Sequence, residues 1–275
     1  MLEIQKTIMN KDGVRLFFDD IIENESCYIT KLDNKFGVVN SEKIEIFKPL
    51  YDEVIPINYG FYIVRIKQSY GLINPNGVLI IPVEYNYISN ICKEEMVEIH
   101  SDKKVGFANV YKVYQIEPKY DSAEFPFSHG IIKVKKDNKY GFIDKKGNEF
   151  IPVKYDWISN FYEGIAKVCI GYKYGYITQK GEELLKPEYD EASGFNFGFG
   201  FAKKSNCFIC INNTGEEIFC LNPSLGLVRS KDGFQRIDNN SFDEYIKLDC
   251  GLSIVKQNGI YSCISDDNTV VVDFL

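Results

Sequence analysis

The chain has 275 residues, 45% of them hydrophobic and 26% charged, a globular balance that excludes an intrinsically disordered chain. Its formal net charge of −7 argues against a nucleic-acid binder, which needs a basic stripe. No apolar run approaches the roughly 18 residues of a membrane-spanning helix, so no membrane insertion is expected.

The first segment, MLEIQKTIMNKDGVRLFF, has no apolar stretch behind a basic one and reads as no signal peptide. The eight Cys are scattered among strand-like segments and are expected to be reduced thiols, which points to a cytoplasmic protein. The 20 Phe and 19 Tyr favour strands over helices.

From residue 27 onward the chain repeats itself. Gly37, Gly71, Gly106, Gly141 and Gly175 are spaced by 34, 35, 35 and 34 residues. Fourteen residues after each stands Tyr51, Tyr85, Tyr120, Tyr155 or Tyr189, followed by Asp52, Asn86, Asp121, Asp156 or Asp190. Pro49, Pro82, Pro118, Pro152 and Pro187 precede those tyrosines by two or three residues. Three markers in phase five times define a tandem array of about 34 residues per unit. A sixth, blurred unit spans 191–224, with Ile209 at the glycine position. Two shortened units are expected over 225–275, built on Phe234–Asp238 and Tyr261–Ser265. The whole of 1–275 reads as one repeat domain.

Each unit predicts short antiparallel strands. In the fourth, Ile131–Lys135 alternates, KDN closes a hairpin, Tyr140–Lys145 returns, and KKGN turns again. Phe150 and Ile151 follow, with Pro152 expected to end that strand because it donates no ladder hydrogen bond. A short fourth strand includes Trp157 and Ile158. The Ile143 position is aliphatic in every unit: Val39, Ile73, Ala108, Ile143, Ile177, Ile211, Ile237 and Ile264. The Tyr140 position, three residues away and therefore on the other face, is also apolar throughout. Both faces of each sheet are thus expected to be covered by neighbouring sheets, and the marker glycine to let the adjacent sheet approach. Stacked units of this kind form a closed, propeller-like ring or, as the alternative, an open β-solenoid or superhelical stack. Apolar segments near both termini favour closure.

The pairs Phe36-Gly37, Tyr70-Gly71, Tyr140-Gly141 and Tyr174-Gly175, the Pro-x-x-Tyr-Asp region and the F-x-x-G of Phe161 to Gly164 resemble the WG-repeat (KWG) family of bacterial tandem-repeat proteins. Tyr or Phe stands where that family has Trp. The resemblance implies an interaction module and supplies no catalytic residues.

Candidate sites are few. The recurring Asp52, Asp121, Asp156 and Asp190 could ring a cation, but an Asp after a strand-end Tyr reads as the cap of its own turn. Cys207 and Cys210 form a C-x-x-C whose members point to opposite faces of one strand, which is unsuited to sharing a metal. His100 and His129 stand at different phases of the repeat. No metal or cofactor is expected. The position after the Tyr-Asp pair varies freely and holds Tyr87 and the single Trp157; Phe195 lies nearby in the next unit. Tyr87, Trp157 and Phe195 are therefore the expected binding residues, on repeat loops that meet another protein. The expected function is a non-catalytic binding module. Carbohydrate recognition by the same aromatics is the first alternative, and a hydrolase with carboxylates in a central funnel the second.

Overall fold

In the computed structural model the described backbone comprises residues 6–9, 15–24, 27–112, 115–195, 198–205 and 207–222. Beyond these it comprises the strands Leu227–Ser230, Gly233–Arg236, Tyr245–Lys247, Leu252–Gln257, Ile260–Ser265 and Val270–Phe274. Among the described residues the chain is all-β apart from one 3-10 turn at Asn58–Gly60. It clusters into two compact units, Met1–Asp137 with Ile143–Asn148, and Asn138–Phe142 with Glu149–Leu275.

In the first unit a hairpin of Lys6–Met9 and Arg15–Phe18 precedes a run of four-stranded antiparallel sheets. The first sheet holds Asp20–Asn24, Cys27–Leu32, Lys35–Asn40 and Glu45–Tyr51 in sequence order. The second holds Glu53–Pro56, Tyr62–Ile66, Ser69–Ile73 and Leu79–Tyr85, and the third Tyr87–Ile88, Met96–Ser101, Lys104–Asn109 and Gln115–Tyr120. Ser122–Ala123, Ile131–Lys136, Lys139–Asp144 and Glu149–Tyr155 repeat the same order where the two units divide. In the second unit the fifth sheet is Trp157–Ile158, Ile165–Ile170, Lys173–Thr178 and Glu183–Tyr189. The sixth is Glu191–Ala192, Phe199–Lys204, Cys207–Asn212 and Glu217–Asn222, extended by Leu227–Ser230 and Gly233–Arg236. A last four-stranded sheet spans Tyr245–Phe274.

Trp157 and Ile158 therefore open the next sheet and do not close the preceding one. The Tyr-Asp marker is the joint between sheets: a single residue, Asp52, Asn86, Asp121, Asp156 or Asp190, separates the last strand of one from the first strand of the next. Where a shortened unit is expected to return at Phe234–Asp238, Gly233–Arg236 is the sixth strand of the sixth sheet, and Ile237 and Asp238 lie outside the described residues. Tyr261–Ser265 does occupy a return strand.

The first and second sheets are covered on both faces. In the second sheet, adjacent residues Leu72 and Ile73 are both fully buried yet belong to different cores. Leu72 packs with Phe61, Ile63, Ile81 and residues of the third sheet, including Ile88 and Ile99. Ile73 packs with Val64, Tyr62 and residues of the first sheet, including Val38 and Phe47. Val39, one residue from Val38, sits in a third core with Ile8 and Phe18. At the Ile143 position Val39, Ile73, Ala108, Ile143, Ile177 and Ile211 are all buried. Ile237 and the side chain of Ile264 lie outside the described residues.

The marker glycine serves a different neighbour from the one expected. A Cβ on Gly106 would stand 2.3 Å from the Ile116 carbonyl oxygen and 2.6 Å from the Pro118 nitrogen, both in the last strand of its own sheet. Gly37, Gly71, Gly141 and Gly175 meet their own last strands in the same way. Opposite Gly106 that strand is bulged: Val105 pairs with Tyr120 but Phe107 pairs with Ile116. The strand runs through its proline, and the bulge is where a residue without an N–H costs no ladder bond.

The joint residues are clasps. Asp52 Oδ1 accepts a hydrogen bond from the Lys35 ammonium at 2.6 Å, and its Oδ2 accepts the Lys67 N–H at 2.6 Å. Lys35 begins the return strand of the preceding sheet, and Lys67 lies at the hairpin tip of the following one. Lys104 with Asp121, Lys139 with Asp156 and Lys173 with Asp190 repeat the ion pair. The second oxygen takes the N–H of Asp137, Gly171 or Ser205 at 2.7, 2.7 and 2.8 Å. Asn86 also caps the next hairpin, at Asp102, but Ser69 stands at the lysine position and no charge pair forms there. The carboxylates thus cap the following hairpin, not their own turn, and both oxygens are engaged.

The lysine partners and the backbone N–H donors hold the carboxyls of Asp52, Asp156 and Asp190 below their usual value of 3.8. Because the folded value is the lower one, the clasps contribute fully above about 3.8 and are lost as the pH falls through the folded midpoints. Carbon-13 titration of these carboxyls is expected to give midpoints under 3.8, with thermal stability falling across that acidic window. Midpoints at or above 3.8 would remove the clasp from the account.

Candidate functional site

In the second unit a cleft of about 560 Å³ opens between the fifth and sixth sheets. Trp157, Ser159, Tyr162, Lys167, Ser193 and Phe195 are among the residues lining it. Trp157 pairs with Cys169 in register, so Lys167, two residues back along that strand, shares the face of the Trp157 ring. The Lys167 ammonium lies 5.4 Å from the centre of that ring and 5.6 Å from the centre of Tyr174. It donates one hydrogen bond, 2.9 Å, to the Ala192 carbonyl. Burial holds its pKa below the usual lysine value, as expected when an ammonium loses part of its hydration.

The loop walls are fixed by a repeated serine brace. Ser159 Oγ accepts the Lys167 N–H at 2.9 Å and donates to the Asn160 carbonyl at 2.8 Å. Ser193 Oγ accepts the Phe201 N–H and donates to the Gly194 carbonyl. Ser89 does the same in the third sheet with Glu98 and Asn90. These hydroxyls are spent on backbone groups. Below them, Tyr176 donates its buried hydroxyl toward the carbonyls of Ser193 and Phe201, at 2.9 and 2.7 Å.

Trp157 and Phe195 come together in this cleft, but in unequal roles. Trp157 is 43% exposed and Tyr162 62%. Phe195, expected as an exposed anchor, is only 5% exposed and packs edge-on against Tyr176 with ring centres 5.1 Å apart. It forms floor, seated over Gly200, where a Cβ would meet its ring at 2.3 Å. Phe197 lies outside the described residues. Phe161 is half-buried against Phe142. Tyr87 is exposed at the matching position of the third sheet, edge-on to His100, and lines no part of the cleft.

His100 binds Glu98 through Nε2, and His129 contacts Ser128 Oγ through Nδ1 at 3.0 Å from a left-handed backbone position. Cys207 and Cys210 lie in one strand, partly exposed and buried respectively. Among the described residues no three His, Cys, Asp or Glu side chains gather as metal ligands. No carboxylate lines the cleft.

The family model of the WG containing repeat matches residues 36–68, 70–99, 116–140, 140–174 and 174–206, more than half of the chain. The chain belongs to the WG-repeat family. The last two matched WG repeats carry the cleft. No curated protein matches this WG-repeat chain. Solved structures similar to it include Hsv2p of Kluyveromyces lactis, at 6% identity and a TM-score of 0.30 over 81% of this chain and 97% of that one. Hsv2 of Kluyvelomyces marxianus aligns at 8% identity and 0.31, over 76% and 69%. The AfRom2 CNH domain aligns at 10% and 0.28, over 93% of each. These scores are too low to equate the folds, and the family match carries the identification.

Proposed function

We propose that this WG-repeat chain is a non-catalytic interaction module that takes a segment of another protein into the Trp157–Phe195 cleft. The observation that carries the reading is the pairing of exposed Trp157 and Tyr162 with a cleft whose loops are braced in place. Its volume suits a few side chains rather than a folded surface. Aromatic rings beside a fixed depression are the usual high-energy anchors of protein recognition, because they bury much area at little entropic cost.

The test is affinity capture from native extract, quantified by mass spectrometry, with Trp157→Ala and Tyr162→Ala beside the unaltered chain. Each substitution is expected to lower recovery of the partner at least about tenfold, the effect of losing an interface anchor. Tyr87→Ala, outside the cleft, is expected to leave recovery unchanged. Full recovery by the Trp157→Ala, Tyr162→Ala double variant would overturn the assignment. Binding of that cleft to a glycan array instead would establish the carbohydrate reading.

A further inference from the structure

Internal comparison of the repeats shows two lysines at one position, only one of them with a carboxylate opposite. The residue that pairs its N–H with the third residue of the next strand is Ser89, Glu124, Ser159 or Ser193. Its partner is Glu98, Lys133, Lys167 or Phe201 respectively. In the fourth sheet the two positions are complementary: Lys133 forms an ion pair with Glu124 at 2.5 Å. In the fifth sheet Lys167 stands at the position of Lys133, but its partner position holds Ser159, as the third and sixth sheets hold Ser89 and Ser193. Among the described residues no carboxylate forms an ion pair with Lys167, which holds one carbonyl and two ring faces instead. A half-buried ammonium keeps its charge at lowest cost when an anion completes its shell. Ser159, at the position of Glu124, lines the cleft together with Trp157 and Lys167.

The geometry points to a carboxylate receptor: Lys167 binds an Asp or Glu side chain of the peptide held in the cleft, and Trp157 packs against the chain beside it. This rests on the protein-binding reading above and specifies its ligand. The net charge of −7 does not oppose it at contact range. Charges more than about 8 Å away are largely screened at physiological salt, whereas a partly dehydrated pair is not.

The probe is a displayed library of random heptapeptides selected on the full chain. Selected sequences are expected to be enriched in Asp or Glu at one position. Synthetic Glu and Gln versions of a selected peptide should differ about tenfold or more in affinity, the worth of a charge-assisted hydrogen bond. Lys167→Gln should bring the two versions level. Ser159→Glu offers a second route that preserves the lysine: it restores the fourth sheet's internal pair and should abolish the preference while the protein stays folded. Trp157→Ala should weaken both versions alike. Peptides without an acidic preference, or a Glu-to-Gln ratio unmoved by Lys167→Gln and Ser159→Glu, would overturn the receptor while leaving peptide binding intact. A selection that yields no peptide would overturn both.

Discussion

Leu72→Ala and Ile73→Ala are each expected to cost about 2–5 kcal/mol, and together to cost the sum to within about 0.5 kcal/mol. Neighbouring buried residues ordinarily share contacts, so their substitutions couple. Here the strand directs one side chain into the core made with the third sheet and the next into the core made with the first. Urea denaturation of the two single variants and the double variant, monitored by circular dichroism, measures the coupling. If either single substitution costs under about 0.5 kcal/mol, the range of surface positions, that face of the sheet is wet and the two-sided packing is wrong. A sheet dependent on both neighbours has little stability of its own, which is the physical reason for tandem repetition.

That dependence was legible because it rests on composition at fixed phase: Val38 and Val39, or Leu72 and Ile73, are consecutive apolar residues where a half-wet strand would alternate. The joints were not legible. Nothing local marks Asp156 as the boundary between sheets, because its partners Lys139 and Gly171 stand 17 residues before it and 15 after. A capping Asp usually bonds within its own turn, and that prior pointed to the wrong hairpin. The repeats nevertheless carried a clue. The one unit with Asn at the joint, Asn86, is the one with Ser69 at the lysine position.

The candidate site was half visible for a similar reason. Variation at the position after the joint picked out Trp157, and the structure leaves it exposed. Phe195 is buried floor instead of exposed because Gly200 makes room for its ring, which the loop sequence around it does not show. Lys167 was missed altogether. In isolation it is one lysine in an otherwise apolar strand, Ile165–Ile170. Only the strand pairing, which sets Ser159 opposite Lys167 as Glu124 stands opposite Lys133, shows that Lys167 lacks the counter-charge its fourth-sheet counterpart has.

Gly175→Ala is expected to cost about 3 kcal/mol, at the upper end for overpacking by one carbon. The new Cβ would stand 2.3 Å from the Leu185 carbonyl oxygen and 2.7 Å from the Pro187 nitrogen. These are backbone atoms, so relief requires the bulge to open. The sixth sheet lacks the glycine altogether. Ile209 occupies its position, and Phe208, Ile209 and Cys210 pair without interruption with Leu221, Cys220 and Phe219. The register shifts only beyond that run, between Cys210 and Ile211; the last strand carries no proline, and Leu227–Ser230 adds to its edge. Glycine, bulge and proline thus act together to close a sheet at four strands, since a bulged, proline-bearing edge offers poor pairing to a fifth. Gly164→Ala is the comparison: its φ of +80° strains any side chain, but nothing stands within 4 Å, so about 1–2 kcal/mol is expected. Urea melts of the two variants decide the matter. Equal losses would mean that the bulge yields freely, and the glycine would then be explained by backbone conformation elsewhere in the hairpin, not by the strand folded over it.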